Sequence, residues 1–315
     1  MPLFDREAAT PLSVIHTLLA RTLPLVPRPI VRHVSRRYIA GDTLTEAVNA
    51  VRALNGEGLM ATLDVLGESV TDRSLADAAV RDYQAALAAI HAERLDSNIS
   101  IKPTQFGMRL DFDLSYGKVR SLVAQARADG VFVRIDMEDS QCTSATLDLY
   151  RRLRAEGFEN VGVVLQAYMR RSLADVRALP ERANVRLCKG IYIEPHEVAY
   201  QERALVNKNF IRLVEELFER GAYVGIATHD EDLVWESERL LERRGLPGSA
   251  YEFQMLLGVA EPLRRIIRRN GHRLRVYVPF GAHWYAYSLR RLKENPRIAG
   301  YILSSLVTGG RQAGA

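Results

Sequence analysis

The sequence predicts an α/β protein, a (β/α)8 TIM barrel with N-terminal helices. Three observations support this fold: eight short apolar segments, amphipathic helical segments between them, and glycines just past several helix ends. Strict alternation of strand and helix implies right-handed crossovers and a parallel sheet. Eight such units in roughly 250 residues favour closure into a barrel. A doubly wound open sheet is the alternative, weakened because no G-x-G-x-x-G turn follows the first strand.

Residues 1–55 show no strand pattern and are assigned to an N-terminal helical extension, in which 31–39 and 44–54 are amphipathic. Residues 56–315 then form the barrel domain. The predicted strands are 59–66, 99–102, 131–137, 161–168, 185–189, 223–229, 253–257 and 274–278. Helical segments between them include 143–156, 198–220 and 232–244. The glycines expected at helix ends are Gly130, Gly157, Gly221, Gly245 and Gly271.

The composition indicates a cytoplasmic protein that does not bind nucleic acid. The chain carries 43 Lys and Arg against 38 Asp and Glu, and this small excess is scattered, without zinc-finger spacing or a basic–aromatic RNA motif. Its two cysteines, Cys142 and Cys188, exclude a disulfide scaffold and point to a reducing compartment. No segment reaches the roughly 18 uninterrupted apolar residues of a membrane-spanning helix.

Polar side chains stand at almost every predicted strand end, which in a barrel is where the chemistry lies. Buried polar groups need one another or a ligand. We therefore expect a large polar ligand above the barrel. The residues concerned are Asp64, Glu68, Lys102, Asp136, Glu138, Gln166, Arg186, Lys189, Thr228, His229, Gln254 and Tyr277.

Several of these residues have a plainer interpretation. Lys102 alone is more often a surface lysine whose stem lies along apolar groups. Asp136 with Glu138 could form a divalent metal pair, but no His partner at suitable spacing supports one, so we expect no metal site. Cys188 is interpreted as a packing residue because no local base is evident. His229 is as often a hydrogen-bonding spacer as a catalytic base.

The segment after the eighth strand carries an unusual charged stripe. Tyr287, Arg290, Arg291 and Glu294 occupy positions i, i+3, i+4 and i+7, which share one face of a helix. Two adjacent guanidiniums repel each other unless an anion lies between or in front of them, and arginine matches a carboxylate bidentately. The stripe predicts an inward-facing anion clamp. A solvated charged face is the alternative.

With these residues, the chain resembles the proline dehydrogenase family from about Tyr38 to its end. The resemblance implies a distorted (β/α)8 barrel with noncovalent FAD and an eighth helix over the barrel mouth. The motifs that carry it, in order, are Leu63-Asp64-x-Leu66-Gly67-Glu68, Ser100-Ile101-Lys102, Arg134-Ile135-Asp136-Met137-Glu138-Asp139, Val164-Leu165-Gln166-Ala167-Tyr168, Arg186-Leu187-Cys188-Lys189-Gly190, Ala227-Thr228-His229, Phe253-Gln254-Met255-Leu256 and Tyr287-x-x-Arg290-Arg291-x-x-Glu294.

The resemblance also implies roles for individual residues. Arg290, Arg291 and Lys102 would hold the substrate carboxylate, and Glu68 would pair with Arg290 to close the entrance. Asp136 would support the site beside the flavin, and Arg186 would be the partner of flavin N5. The pocket walls would be Tyr192, Leu256, Tyr277 and Tyr287. Further flavin contacts would be Val164, Gln166, Lys189, Gly190, Thr228, His229, Gln254 and Glu294.

The chain departs from the family pattern at a few positions. Ile191 stands where Ala is common, and Leu257 and Phe280 stand where Tyr is common. The segments 282–283 and 201–203 also differ. Strict alternation would moreover send Arg186 and Lys189 to opposite faces of their strand. These departures bear on loop closure and kinetic detail more than on the reaction.

The implied activity is oxidation of L-proline to Δ1-pyrroline-5-carboxylate, with electrons passed to a quinone. Membrane quinone implies peripheral contact with the inner face of the plasma membrane, for which the basic cluster Arg264, Arg265, Arg268 and Arg269 is a candidate surface. A solvated helix face explains that cluster as well. The rival functions are a Schiff-base aldolase using Lys189 or Lys102, a non-enzymatic anion-binding protein, and 4-hydroxyproline oxidation. The oligomeric state stays open.

Overall fold

Eight parallel strands close into a barrel, in which each strand pairs with the next and β8 pairs with β1. The computed structural model describes residues 31–32, 35–285 and 287–289. The barrel prediction is confirmed, and the open sheet is excluded. The strands are β1 (Met60–Val65), β2 (Ser97–Ile101), β3 (Val133–Ile135), β4 (Val161–Gln166), β5 (Asn184–Cys188), β6 (Tyr223–Ala227), β7 (Tyr251–Leu256) and β8 (Leu274–Phe280).

Helices connect the strands as predicted. They are α1 (Leu44–Gly56), α2 (Arg73–Ala92), α3 (Phe112–Ala128), α4 (Ser140–Ala155), α5 (Ser172–Arg177), α6 (Arg203–Glu219), α7 (Glu231–Arg244) and α8 (Glu261–Arg269), with a 3-10 turn at Pro103–Phe106. A capping box between Thr43 and Glu46 begins α1. All five predicted helix-ending glycines adopt φ between +57° and +85°, a conformation that glycine reaches without steric cost.

The strands have one apolar face and one polar face. On β2, Ile99 and Ile101 are buried in the core, whereas Asn98 and Ser100 are buried polar residues of the opposite parity. The polar set faces the barrel interior, because its hydrogen bonds join strands that are not neighbours in the sheet, such as Tyr277 on β8 to Asp136 after β3. The interior therefore contains polar side chains that can bond to one another across the barrel or to a ligand.

Residues 40–281 form one compact unit, and the described residues at the chain ends belong to a second. Helix α1 packs against β1 and β8 within the barrel unit. In the second unit, 31–32, 284–285 and 287–289 are helical, and the Arg32 guanidinium lies 5.2 Å from the centre of the Trp284 ring. The division of the chain at residue 55 and the helix over the barrel mouth stay predictions.

Candidate active site

The Arg186 guanidinium is fixed at the centre of the barrel interior. Its Nη1 donates to Asp136 Oδ1 at 2.8 Å and to Ser100 Oγ at 3.2 Å. Its Nε donates to Gln254 Oε1 at 2.5 Å. These acceptors come from different strands, so the cation is held from several sides. Hydrogen bonds of a charged donor to a carboxylate are the stronger kind, and they pre-organise this group.

Tyr277 completes the cluster around Asp136. Its hydroxyl donates to Asp136 Oδ2 at 2.9 Å, and its ring centre lies 5.2 Å from the guanidinium carbon of Arg186. Burial, and next the neighbouring Asp136 carboxylate, raise the pKa of Tyr277 well above its ordinary value. The residue therefore stays a neutral phenol and a hydrogen-bond donor at working pH.

Lys102 is a buried ammonium in the same cluster. Its Nζ donates to Asp64 Oδ1 at 2.7 Å and lies 3.8 Å from Asp136 Oδ2. Its side chain is 12% exposed and that of Asp64 is 0% exposed. Burial lowers the pKa of Lys102, but the two carboxylates outweigh burial, so its pKa lies above the ordinary value. The surface-lysine interpretation is wrong, because the amine is buried and ion-paired.

Asp64 and Tyr83 belong to the site, although the sequence assigned a role to neither. Burial raises the pKa of Asp64, and its Oδ2 receives no hydrogen bond from any described residue. Tyr83, from α2, donates to the carbonyl of Ser100 at 2.7 Å and lies 3.3 Å from Asp64 Oδ1. Asp64 was visible as a polar strand end, but Tyr83 gave no signal beyond its place on the buried face of a helix.

Lys189 lies in a second cluster, apart from Arg186. Its Nζ donates to Asp230 Oδ2 at 2.5 Å, and Arg203 and Asn207 of α6 donate to the same oxygen at 2.8 and 3.2 Å. Burial opposes ionisation of Asp230, but the bonds from Lys189 and Arg203 outweigh it and hold its pKa below the ordinary range. β5 ends at Cys188, so Lys189 follows the strand, and the ion pairs place the two cations in separate clusters.

Other predicted residues line the strand ends. Gln166 Nε2 donates to the Glu138 carbonyl at 2.7 Å, while its buried Oε1 has no donor among the described residues. Gly190 has φ of +113°, and a Cβ there would clash with the Tyr168 ring. His229 Nε2 accepts from the backbone N–H of Leu256 at 2.8 Å, which leaves the ring proton of a neutral imidazole on Nδ1.

The structure gives few contacts for the remaining predicted residues, and three of them lie outside the described residues. Val164 is buried and is paired with Arg186 in the sheet register, and Thr228 Oγ1 accepts from the backbone of Asp230 at 3.1 Å. Tyr192 is half-buried in the loop after β5, and Glu68 is exposed in the loop after β1. Tyr287 belongs to the second unit. The anion clamp of Arg290, Arg291 and Glu294 lies outside the described residues.

Asp136 and Glu138, the pair considered as an alternative metal site, have different partners in the structure. Glu138 accepts from the backbone N–H of Thr104 at 2.9 Å, whereas Asp136 binds Arg186, so the two carboxylates serve different partners. Among the described residues, no cluster of three or more His, Cys, Asp and Glu side chains could hold a metal ion. Burial raises the pKa of Cys188 to about 11, so it stays a thiol, as its packing role predicts.

No helix within the described residues combines the length and the apolar character needed to cross a bilayer.

Comparisons with known proteins identify the family. The family model described as proline dehydrogenase matches residues 47–302. A proline dehydrogenase of Deinococcus radiodurans is 36% identical over 91% of this chain and 97% of its own length. Proline dehydrogenase 1 of Bacillus subtilis strain 168 is also 36% identical, over 87% of this chain and 90% of its own length.

Solved structures agree in fold. Proline utilization A of Bdellovibrio bacteriovorus, inactivated by N-propargylglycine, superposes with a TM-score of 0.77 at 25% identity and covers 84% of this chain. This chain spans 33% of that much longer protein. A mutant of proline utilization A from Bradyrhizobium japonicum, at 21% identity and a TM-score of 0.69, shares the fold. By its matched length and its similarity to curated relatives, the chain belongs to the proline dehydrogenase family.

Proposed function

We propose that this chain oxidises L-proline to Δ1-pyrroline-5-carboxylate, with noncovalent FAD as the immediate electron acceptor. Family membership supports the reaction, and the Deinococcus relative carries the name proline dehydrogenase. The observation that carries the proposal furthest is the Arg186 guanidinium, fixed by Asp136 and Ser100 at the carboxyl ends of the strands. A fixed cation there suits a reaction in which negative charge develops on the acceptor.

The residues present fit a flavin in two respects. Gln166 Oε1 is a buried acceptor without a donor among the described residues, which suits a ligand N–H. Arg186 is a buried, oriented donor that can face a ring nitrogen. When bound, a flavin supplies a hydride acceptor for the carbon next to an amine nitrogen. By the resemblance, the residues that would hold it are Asp136, Val164, Gln166, Arg186, Lys189, Gly190, Thr228, His229, Gln254 and Glu294.

The chain's own side chains bind and orient the substrate. Lys102 keeps its proton because its pKa is raised, so it can attract the proline carboxylate together with Arg290 and Arg291. Tyr277, with Tyr192, Leu256 and Tyr287, would pack around the pyrrolidine ring. A carboxylate held at one side of the ring aligns the reacting C–H on the other side, which is the main task of the protein in such a reaction. Glu68 with Arg290 would close the entrance.

A Schiff-base aldolase is the less favoured functional hypothesis. A nucleophilic lysine needs a neutral amine, whereas Lys102 is paired with Asp64 at 2.7 Å and has a raised pKa. Lys189 is likewise ion-paired, with Asp230 at 2.5 Å. A colourless protein that borohydride traps covalently on a carbonyl substrate would favour the aldolase. An anion-binding protein without activity would take up proline and form no product.

The acceptor of the second half-reaction is proposed to be a quinone, reached at the inner face of the plasma membrane. Three arginines of α8, Arg265, Arg268 and Arg269, are exposed, and Ile266 between them is 46% exposed. Such a surface suits anionic lipid. Co-sedimentation with vesicles should increase with the fraction of anionic lipid. Binding that does not change with the fraction of anionic lipid would remove the contact between these arginines and anionic lipid, and would leave the oxidation of proline untouched.

The direct test is product formation from L-proline with a soluble quinone under anaerobic conditions. Stoichiometric Δ1-pyrroline-5-carboxylate supports the proposal, and no product from folded, flavin-loaded protein contradicts it. Comparing kcat/KM for proline and 4-hydroxyproline decides the substrate. Tyr277, whose ring should occupy the space of a 4-hydroxyl, favours proline. A matching inactivation by N-propargylglycine, the compound used on the Bdellovibrio protein, would support the same site.

A further inference from the structure

A chain of side-chain hydrogen bonds connects Glu252, near the start of β7, with the candidate active site. Glu252 and Gln254 are two residues apart on β7, so both side chains point to the same face. Gln254 Nε2 donates to Glu252 Oε1 at 2.5 Å, and Gln254 Oε1 accepts from Arg186 Nε at 2.5 Å. Arg186 in turn donates to Asp136 at 2.8 Å. Two hydrogen bonds, through Gln254, therefore separate Glu252 from Arg186, the cation that is bound to Asp136.

The chemistry of the partners fixes the orientation of the Gln254 amide. A carboxylate only accepts hydrogen bonds and a guanidinium only donates them. The amide can satisfy Glu252 and Arg186 together in one orientation alone, with NH2 toward the carboxylate and oxygen toward the guanidinium. The negative charge of Glu252 thus decides that Gln254 offers its oxygen to Arg186.

Glu252 is held as an ionised group. Arg275 Nε donates to its Oε1 at 2.7 Å and Nη2 to its Oε2 at 3.1 Å, while the Tyr223 hydroxyl donates to Oε2 at 2.8 Å. The side chain of Glu252 is 3% exposed. Burial raises its pKa, but Arg275 and the hydrogen bonds outweigh burial, so the pKa lies below the ordinary value. The carboxylate keeps its charge across the working pH range.

Gly225 on β6 leaves the space that the amide needs. It is paired in the sheet with Arg186 on one side and with Glu252 on the other. A Cβ at this position would lie 2.5 Å from Gln254 Nε2. A glycine in a strand interior weakens the strand, and close approach of another group is one reason for it. The missing side chain at Gly225 thus leaves room for the Gln254 amide between Arg186 and Glu252.

We propose that Glu252 is a positioning residue, which orients the Gln254 amide and through it the Arg186 guanidinium. It touches neither the proposed substrate nor the proposed cofactor. The kinetic consequence rests on the proposed function, whereas the orientation of Arg186 does not. A neutral side chain at position 252 would let the amide turn, and Arg186 Nε would then lose its acceptor.

Two substitutions alter the same buried ion pair but differ in their effect on Gln254. Glu252→Gln removes the charge that orients the amide. Arg275→Lys, the matched control, loses the two-point contact of the guanidinium but keeps a cation beside Glu252, so the carboxylate stays ionised and keeps the orientation. Because Glu252→Gln leaves Arg275 buried without its counter-charge and can fail to fold, the double variant Glu252→Gln/Arg275→Gln is made as well. It removes both charges and still frees the amide.

The first measurement is NMR hydrogen exchange of the Arg186 Nε–H in 15N-arginine-labelled protein, assigned by its loss in Arg186→Lys. Exchange should be about tenfold faster in Glu252→Gln and in the double variant than in Arg275→Lys. The second measurement is kcat with proline, which should fall by about tenfold to a hundredfold in Glu252→Gln and in the double variant and by less than about twofold in Arg275→Lys.

Equal Nε–H exchange in the charge-removing variants and in Arg275→Lys would overturn the proposal. Altered exchange with unchanged kcat would also overturn it, because the orientation would then serve no step. Failure of the proposed function gives a different result: the unsubstituted protein would form no product from proline, and the exchange comparison would still decide whether Glu252 orients Arg186.

Discussion

Replacement of Lys102 by Met should destabilise the fold as well as weaken substrate binding, because Asp64 depends on its ammonium. Asp64 is 0% exposed, and its Oδ1 lies 2.7 Å from Lys102 Nζ. Without that charge, the remaining partner of Oδ1 is the Tyr83 hydroxyl at 3.3 Å, and Oδ2 has no donor among the described residues. Breaking a buried pair by removing one member costs about 3–5 kcal/mol.

A double variant separates this cost from other effects of the substitution. Asp64→Asn removes the carboxylate charge, so Lys102→Met/Asp64→Asn should recover about 2 kcal/mol of the free energy of unfolding that Lys102→Met loses. Urea unfolding of the unsubstituted protein, the two single variants and the double variant measures this interaction energy. Strictly additive effects would refute the reasoning.

The destabilisation of Lys102→Met should depend on pH in a definite direction. Burial already raises the pKa of Asp64 above 3.8, and loss of the Lys102 charge raises it further. The native state then binds a proton that the unfolded state releases, so the free energy of unfolding falls as pH rises from 3.8 toward the folded pKa, by up to about 1.4 kcal/mol per pH unit. A loss below about 1 kcal/mol, or an equal loss just above pH 3.8 and at neutral pH, would contradict this account.

Four further predictions concern the strand ends, the pH dependence of the reaction and the anion clamp. Gly190→Ala should cost about 2 kcal/mol or more in urea unfolding, because its φ of +113° strains any other residue and its Cβ would clash with Tyr168; a neutral effect would show that the loop adjusts. Asp230→Asn should cost about 1 kcal/mol, a difference that is present at neutral pH and shrinks only below 3.8, because the folded pKa is depressed; a constant difference in acid would count against the ion pair with Lys189. Proline oxidation should rise toward alkaline pH as the substrate amine loses its proton, and a flat rate between about pH 6 and 9 argues against that. Arg291→Met should weaken binding of a carboxylate inhibitor by about 2 kcal/mol or more, whereas unchanged affinity would remove the clamp.

The architecture could be predicted because its determinants are local. Short apolar segments mark each strand, and the helix-ending glycines mark the connections. All eight strands were found where the sequence placed them. Boundaries differ by one to two residues at most ends, and β3 covers only Val133–Ile135 rather than 131–137.

The partners within the site could not be predicted, because they are distant in sequence. Lys102 and Asp64 are 38 residues apart, and Arg186 and Asp136 are 50 apart. A single polar strand end does not say which other end it meets. Tyr83 illustrates the limit: it reaches the site from a helix, where a buried aromatic residue is more often ordinary core. The family resemblance supplied roles for residues, but not these pairings.

The central claim is tested most directly by the absorbance spectrum of the purified protein before and after anaerobic addition of L-proline. The account predicts the yellow oxidised-flavin bands at the start and their bleaching when proline is added, with recovery when a quinone is supplied. A flavin-loaded protein whose spectrum proline leaves unchanged would contradict it.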